Sequence, residues 1–319
     1  MKPKVRIVAC ADNFHFIQDL IPALSDEFDI TKVNVTNRTT VLNELYEADL
    51  IWLEWADGIS IDIIKTLLLS PHFSKKKTIL RLHRYELFTP RTITQIELLP
   101  IGSIGRIDKL VFVSKTVQQI GIEKFPWMKN SIVIPNLIDH TKFPFTDRKR
   151  RFNIIMLGRM SYVKNLPLAL TMFNGLYKID PRYKLHIVGK ISEPELVYYL
   201  ENFITKTVNP NIHYHGMIDN DKLPKFMESM NYILCSSVFE SFGMGILEAM
   251  CCGLKPVVFD FPGAENIFPT EWCWLDFEQF KGIITGSYNP INYHNFVYEN
   301  YSIEKNIHLY KEIVNNVLN

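Results

Sequence analysis

The sequence predicts an α/β protein made of two Rossmann-like domains that face each other across a cleft, with a C-terminal helix packing back on the first of them. Three observations carry this prediction. Short β-branched runs alternate with amphipathic stretches along the chain, the rhythm of parallel strands joined by crossover helices. The alternation breaks near residues 141–151 and then resumes. A length of 319 residues exceeds one ordinary domain and fits two of about 150 residues each.

In the first half the strand runs are VRIVA at 5–9, ITKVNV at 30–35, DLIWLEW at 49–55, TILRLH at 78–83, KLVFVS at 109–114 and SIVIPN at 131–136. Between the first two, Phe16, Ile17, Leu20, Ile21 and Leu24 share one face of a 3.6-residue period, and a second crossover runs from Ile59 to Leu69. TKFPFTDRKRR at 141–151 interrupts with proline and a basic cluster. This sets the domain boundary after residue 146. FNIIML at 152–157 opens the second series, which continues with YKLHIVG at 183–189, NIHYHG at 211–216, NYILCSS at 231–237 and PVVFD at 256–260. That domain spans 147–299. Toward the end, Ile303, Ile307, Tyr310, Ile313, Val314 and Val317 fall on one helical face, so residues of about 300–319 are assigned to a packed helix returning to the first domain.

Composition excludes several classes. With 47% apolar and 22% charged residues the chain is neither disordered nor collagen-like nor disulfide-dense. Residues 1–150 hold 21 basic against 17 acidic side chains and the remainder 14 against 17, so neither half carries the charge of a bulk nucleic-acid binder. Asp12 cuts short the apolar run at the amino end before it reaches the length of a secretory core. The expectation is a cytoplasmic protein, with peripheral contact at a membrane left open by the basic runs at 75–77 and 148–151. The five cysteines show no CxxC spacing, which argues against a disulfide framework or structural zinc. The sequons at Asn34, Asn37 and Asn300 carry no weight without export.

The chemistry concentrates in SSVFESFGMGILEAMCCGLKPVVF, residues 236–259, which runs from a strand end through a glycine-bearing turn into a helix. Gly243 and Gly245 let the backbone approach a ligand, and the N–H groups and positive dipole end of a helix start favour a phosphate. Glu240 precedes the helix and Glu248 lies about two turns on, so two carboxylates can bind hydroxyls at separate points of an extended ligand. Carboxylates beside a phosphate cradle point to a sugar nucleotide. Arg159 and Lys164, in MLGRMSYVKN, follow the first strand of the second domain, where two cations can neutralise a departing diphosphate. His83 follows the TILRL strand directly and would face the ligand end of a parallel sheet. The DND at 219–221 precedes a helix-like stretch, so capping by Asp219 or Asp221 accounts for it better than metal binding.

The window from Ser237 to Val258 resembles the glycosyltransferases of family 4, which have the GT-B fold. Their pattern of S-x-x-E-x-F-G, four residues, then E-A-M-x-x-G-x-P-V-V is met in register by Ser237, Glu240, Phe242, Gly243, Glu248, Ala249, Met250, Gly253, Pro256, Val257 and Val258. The resemblance implies that Glu240 contacts the hydroxyls of the donor sugar, Glu248 those of the ribose, the backbone of Phe242, Gly243 and Met244 the diphosphate, and backbone near Met217 the base. Gly158, Arg159 and Lys164 are similar to the family's G-R and lysine, and His83 to a histidine beside the donor sugar. The first domain would then be the acceptor side and the second the nucleotide-sugar side. The family's paired-glycine loop after the first strand is replaced here by ACADNFHF, which has no glycine.

The function expected from the resemblance is a retaining hexosyl transfer from a nucleoside diphosphate sugar, of the GDP-mannose or UDP-hexose type, to an acceptor hydroxyl. No cofactor or essential metal is expected, because Arg159 and Lys164 would serve the diphosphate. The implied partners are that donor and a glycan, lipid-linked or protein-linked acceptor, with the protein a monomer or weak dimer. Two other readings stay open at this point: a GT-B relative such as a sugar-nucleotide epimerase or phosphorylase, and a non-catalytic sugar-nucleotide-binding protein.

Overall fold

The computed structural model describes residues 1–35, 38–73 and 75–319, so the Asn37 sequon lies outside the described residues. The chain divides into two units, Met1–Leu137 with Ile303–Asn319, and Ile138–Ser302. Six strands build the first: β1 (Lys4–Cys10), β2 (Asp29–Val35), β3 (Leu50–Leu53), β4 (Lys77–Leu82), β5 (Lys109–Phe112) and β6 (Ile132–Val133). They lie in the order β2-β1-β3-β4-β5-β6. All their pairings are parallel, with Val5 opposite both Ile30 and Leu50. The second sheet holds β7 (Asn153–Leu157), β8 (Lys184–Val188), β9 (Ile212–Tyr214), β10 (Tyr232–Cys235), β11 (Lys255–Phe259) and β12 (Cys273–Trp274). Its order is β12-β11-β10-β7-β8-β9, again wholly parallel.

A parallel sheet is covered by helices on both faces, so its central strands are apolar on both sides. All four residues of β3 are buried, and one core face of the second sheet gathers Ile154, Leu185, Ile187 and Leu234 while the other gathers Ile155, Val188, Ile233 and Cys235. The crossover Gly58–Leu69 forms as the sequence predicts, its start fixed by Asp57, whose carboxylate accepts from Ile59 N at 3.1 Å and Ser60 N at 2.9 Å. The crossover expected over 16–24 differs. It is a 3₁₀ turn, Gln18–Leu20, followed by the single helical turn Ile21–Leu24, with Pro22 at the start of that turn. The strand Cys273–Trp274 carries too few residues to register as a periodic run.

The units divide between 137 and 138 rather than after 146, because the segment that reads as a linker is tied into the second unit. Phe143 packs on the second unit's core. Arg148 donates to the carbonyls of Met227 at 2.7 Å and Met230 at 2.6 Å, and also to that of Cys252. The C-terminal helix His308–Leu318 belongs to the first unit. Its Tyr310 is fully buried, accepts from Arg81 Nη2 at 2.8 Å and donates to Pro135 O at 2.9 Å, and Ile313, Val314 and Val317 complete the contact. Among the described residues no helix is long and apolar enough to cross a membrane.

Candidate functional site

The strand order of the second sheet reverses between β7 and β10, and ligands of such sheets bind outside the carboxyl ends at the reversal. Beside the reversal, β7 and its neighbour β8 end in unusual backbone. After β7 the chain turns at Gly158, whose φ is +115°, and after β8 at Gly189, whose φ is +133°. Gly158 N donates to Val188 O at 3.0 Å and Gly189 N to Gly216 O at 2.7 Å, so three strand ends are drawn together. A Cβ on Gly189 would stand 1.9 Å from Gly158 O, and glycine is the residue type that fits.

The turn carrying Lys164, Tyr162–Lys164, is knitted to the end of β10. Ser236, fully buried, donates through Oγ to Lys164 O at 2.7 Å, and Val238 N donates to Val163 O at 2.9 Å. With the two loops fixed, Lys164 Nζ lies 2.6 Å from Glu240 Oε1, which also accepts from Ser237 Oγ at 2.6 Å. The pair is largely sheltered, its side chains 26% and 15% exposed. In such a place each charge offsets part of the desolvation of the other.

Gly243, with φ +80°, is the N-cap of the helix Met244–Cys251, and no side chain caps that end. The first-turn N–H groups and the dipole therefore favour an anion there. Beside it lies a cavity of about 380 Å³ whose wall includes Arg159, Lys164, Lys190, Met217, Gly245 and Glu248. The structure thus brings together six of the residues singled out in the sequence, Gly158, Arg159, Lys164, Met217, Gly245 and Glu248. Glu240 joins them through Lys164 and is not itself in the wall, nor are Phe242, Gly243 and Met244. The Phe242 side chain is core, 3% exposed and edge-on to Tyr301 at 5.1 Å. Two contributors carry no site role in the sequence reading. Lys190 adds a third cation to the wall, and Ser236 sets the Lys164 loop.

His83 lies in the first unit, at the end of β4, where its N–H donates to Glu86 Oε2 at 3.1 Å. It follows the strand directly, as the sequence predicts, and it is buried there. The residue is 2% exposed, its ring stacked against Phe16 at 4.8 Å and Trp55 at 4.3 Å. Nε2 stands 3.4 Å from Glu54 Oε1, and neither ring nitrogen completes a hydrogen bond among the described residues. Burial pushes its pKa down to about 4, with the Arg81 cation adding to the effect against the opposing pull of Glu54. The cover is the glycine-free loop after β1, where Ala11 and Asp12 take φ of +50° and +56°, the left-handed backbone that paired glycines would adopt without strain.

Neither aspartate of the DND caps a helix. Asp219 pairs with Lys222 at 2.6 Å, and the turn into the helix Leu223–Met227 is closed by Leu223 N donating to Asp219 O at 3.1 Å. Among the described residues no three His, Cys, Asp or Glu side chains are arranged to hold a metal ion.

Two parallel Rossmann-like sheets, the second with a cavity lined by cations and a helix start at its point of strand reversal, define an α/β protein of doubly wound type. Residues 138–271 match the family Glycosyl transferases group 1 and form a domain of that type. Among curated proteins the chain is similar to the GDP-mannose:cellobiosyl-diphosphopolyprenol alpha-mannosyltransferase of Xanthomonas oryzae, 26% identical over 112 residues covering 34% of this chain and 29% of that one. It is also similar to the mannosylfructose-phosphate synthase of Agrobacterium fabrum, 27% identical over 143 residues, 40% of this chain and 32% of that one. The chain thus spans about a third of the length of these relatives. Among solved structures, HepE of Anabaena in complex with UDP and glucose superposes with a TM-score of 0.78 at 14% identity, covering 98% of this chain and 100% of that one. The fold is accordingly of the GT-B type.

Proposed function

We propose that the protein is a retaining glycosyltransferase that moves a hexosyl group from a nucleoside diphosphate sugar to a hydroxyl of a glycan, glycolipid or glycoprotein. The observation that carries this is the sheltered Lys164–Glu240 pair held beside the start of the Met244–Cys251 helix, with Arg159 and Glu248 in the adjoining cavity wall. Cations and a helix start suit a diphosphate, while the carboxylates suit the hydroxyls of sugar and ribose. The names of the relatives, one of which uses GDP-mannose, and the UDP and glucose held by HepE support a donor of this class.

In the reaction the anomeric C–O bond to the diphosphate breaks and the acceptor oxygen bonds to the same face of the sugar. The acceptor proton passes to the departing phosphate oxygen. Arg159 and Lys164 stabilise the charge that develops on that oxygen, together with the helix start, and this substitutes for a metal. Glu240, held by Lys164 and Ser237, orients the sugar, Glu248 holds the ribose and backbone near Met217 meets the base. His83 is assigned to the donor sugar, which requires the Phe16 ring to lift from it. Its burial favours one second reading, a nucleotide-sugar-binding protein without transfer.

Calorimetric titration with a panel of UDP- and GDP-sugars, with and without magnesium, tests both readings. Metal-independent binding of one donor, lost in Glu248→Ala, together with turnover that Glu240→Ala lowers about 100-fold or more, supports the transfer reading. Binding without turnover across varied acceptors selects the second, and turnover unchanged in Glu240→Ala removes that residue from the site.

A further inference from the structure

The second unit contains another cavity, larger than the first at about 560 Å³ and sharing no residue with it. It lies toward the opposite end of the sheet, since Lys255, in its wall, is the first residue of β11, whereas the donor cavity lies at the carboxyl ends of β7 and β8. The residue Lys255 is only 4% exposed. Its ammonium donates to the carbonyls of Ser287 at 2.6 Å and of Ile283, which leaves a third N–H for an oxygen of a ligand. Burial lowers its pKa to about 8, so the group is still mostly charged near neutral pH.

The rest of the wall is neutral hydrogen-bonding chemistry around one large aromatic. Gln279 accepts from Leu275 N at 2.7 Å through its carbonyl oxygen, so the amide NH₂ remains to donate to a ligand. Asn292 and Thr270 add donors and acceptors. Trp272 is half-buried and held in place by edge contacts with Tyr293 and Phe296 at ring distances of 5.7 and 5.1 Å. A wall that mixes donors and acceptors beside a fixed indole matches a ring carrying several hydroxyls on an apolar body. A phosphate fits poorly, because the ammonium already serves two carbonyls and the Glu271 carboxylate is in the same wall.

We propose that this cavity is a second carbohydrate site, taking one neutral hexose ring of a glycan at a distance from the nucleotide-binding end. It would give a transferase a hold on its glycan substrate or product apart from the donor site. The site stands on its own residues and does not depend on which donor the first cavity takes. Saturation-transfer NMR on the full chain tests it, with the methyl α-pyranosides of glucose, galactose and mannose as probes at millimolar concentration. The expected result is transfer to at least one of them, reduced about fivefold in Asn292→Ala and in Trp272→Ala and unchanged in Glu248→Ala. Asn292 is exposed, so that variant decides the question where Trp272→Ala fails to fold. No transfer to any of the three, transfer that survives Asn292→Ala, loss in Glu248→Ala alone, or displacement by millimolar inorganic phosphate would overturn the proposal, whatever the outcome of the donor titration.

Discussion

Replacing Gly189 by alanine tests the geometry on which the cavity at the ends of β7 and β8, the proposed nucleotide site, rests. The added Cβ would stand 1.9 Å from Gly158 O and 2.7 Å from Gly158 C, which are backbone atoms that cannot rotate away. The backbone at φ +133° is also one that alanine avoids, at a strain of about 1–3 kcal/mol. Relieving the overlap requires β7 and β8 to part at their ends. That movement would strain the bonds from Gly158 N to Val188 O and from Gly189 N to Gly216 O, each contributing about 1 kcal/mol. The sum is a loss of about 3–5 kcal/mol, which lowers the melting temperature of a unit this size by roughly 6–20 °C. Scanning calorimetry reads the shift and nucleotide titration reads the cavity. Gly282→Ala is the control, because a Cβ there meets nothing within 4 Å. A loss below about 1 kcal/mol in Gly189→Ala, with nucleotide affinity intact, would refute the close approach.

Two further outcomes follow from the first unit. Ala11→Gly should stabilise by roughly 0.5–1 kcal/mol in thermal unfolding, since relief of left-handed strain exceeds the added flexibility of the unfolded chain; a destabilised variant would contradict that backbone. His83 should make stability acid-sensitive. Its folded pKa is lowered to about 4, below the unfolded value of about 6.5, so its contribution is complete above 6.5 and is lost as pH falls from there through 4. Urea unfolding of wild type and His83→Gln at a series of pH values should show a wild-type loss exceeding that of the variant by up to about 3 kcal/mol, and parallel pH curves would refute the burial.

Most of the fold was legible because a strand covered on both faces is apolar throughout. Runs such as LIWL and VVF announce themselves without knowledge of their neighbours. Segments whose fate depends on tertiary contacts were not. The Arg148 guanidinium looks like a solvated linker charge until the carbonyls of Met227, Met230 and Cys252 are found around it. The apolar residues from Phe16 to Leu24 keep a helical period, yet the chain folds into a 3₁₀ turn and one helical turn, and Phe16 is turned onto His83. Asp219 had the type and position of a cap, but a lysine three residues on took its carboxylate.

The same division runs through the site. Side chains that would meet a ligand were legible by chemical type: Arg159, Lys164 and Glu248 do share one cavity wall. What holds them was not, because it is made of backbone approach and small polar groups with no signature of their own. Ser236 is one serine among several until its hydroxyl reaches the carbonyl of Lys164, and Gly189 is one glycine among 14 until its backbone meets that of Gly158. His83 is the converse, a residue with strong chemical type placed under Phe16 by a loop whose strained backbone no residue name reveals. The placement of Lys164 against Glu240 therefore depends on groups that touch no ligand. Ser236→Ala removes none of the charges, yet it should loosen the turn that carries Lys164 and weaken the hold on Glu240 with it.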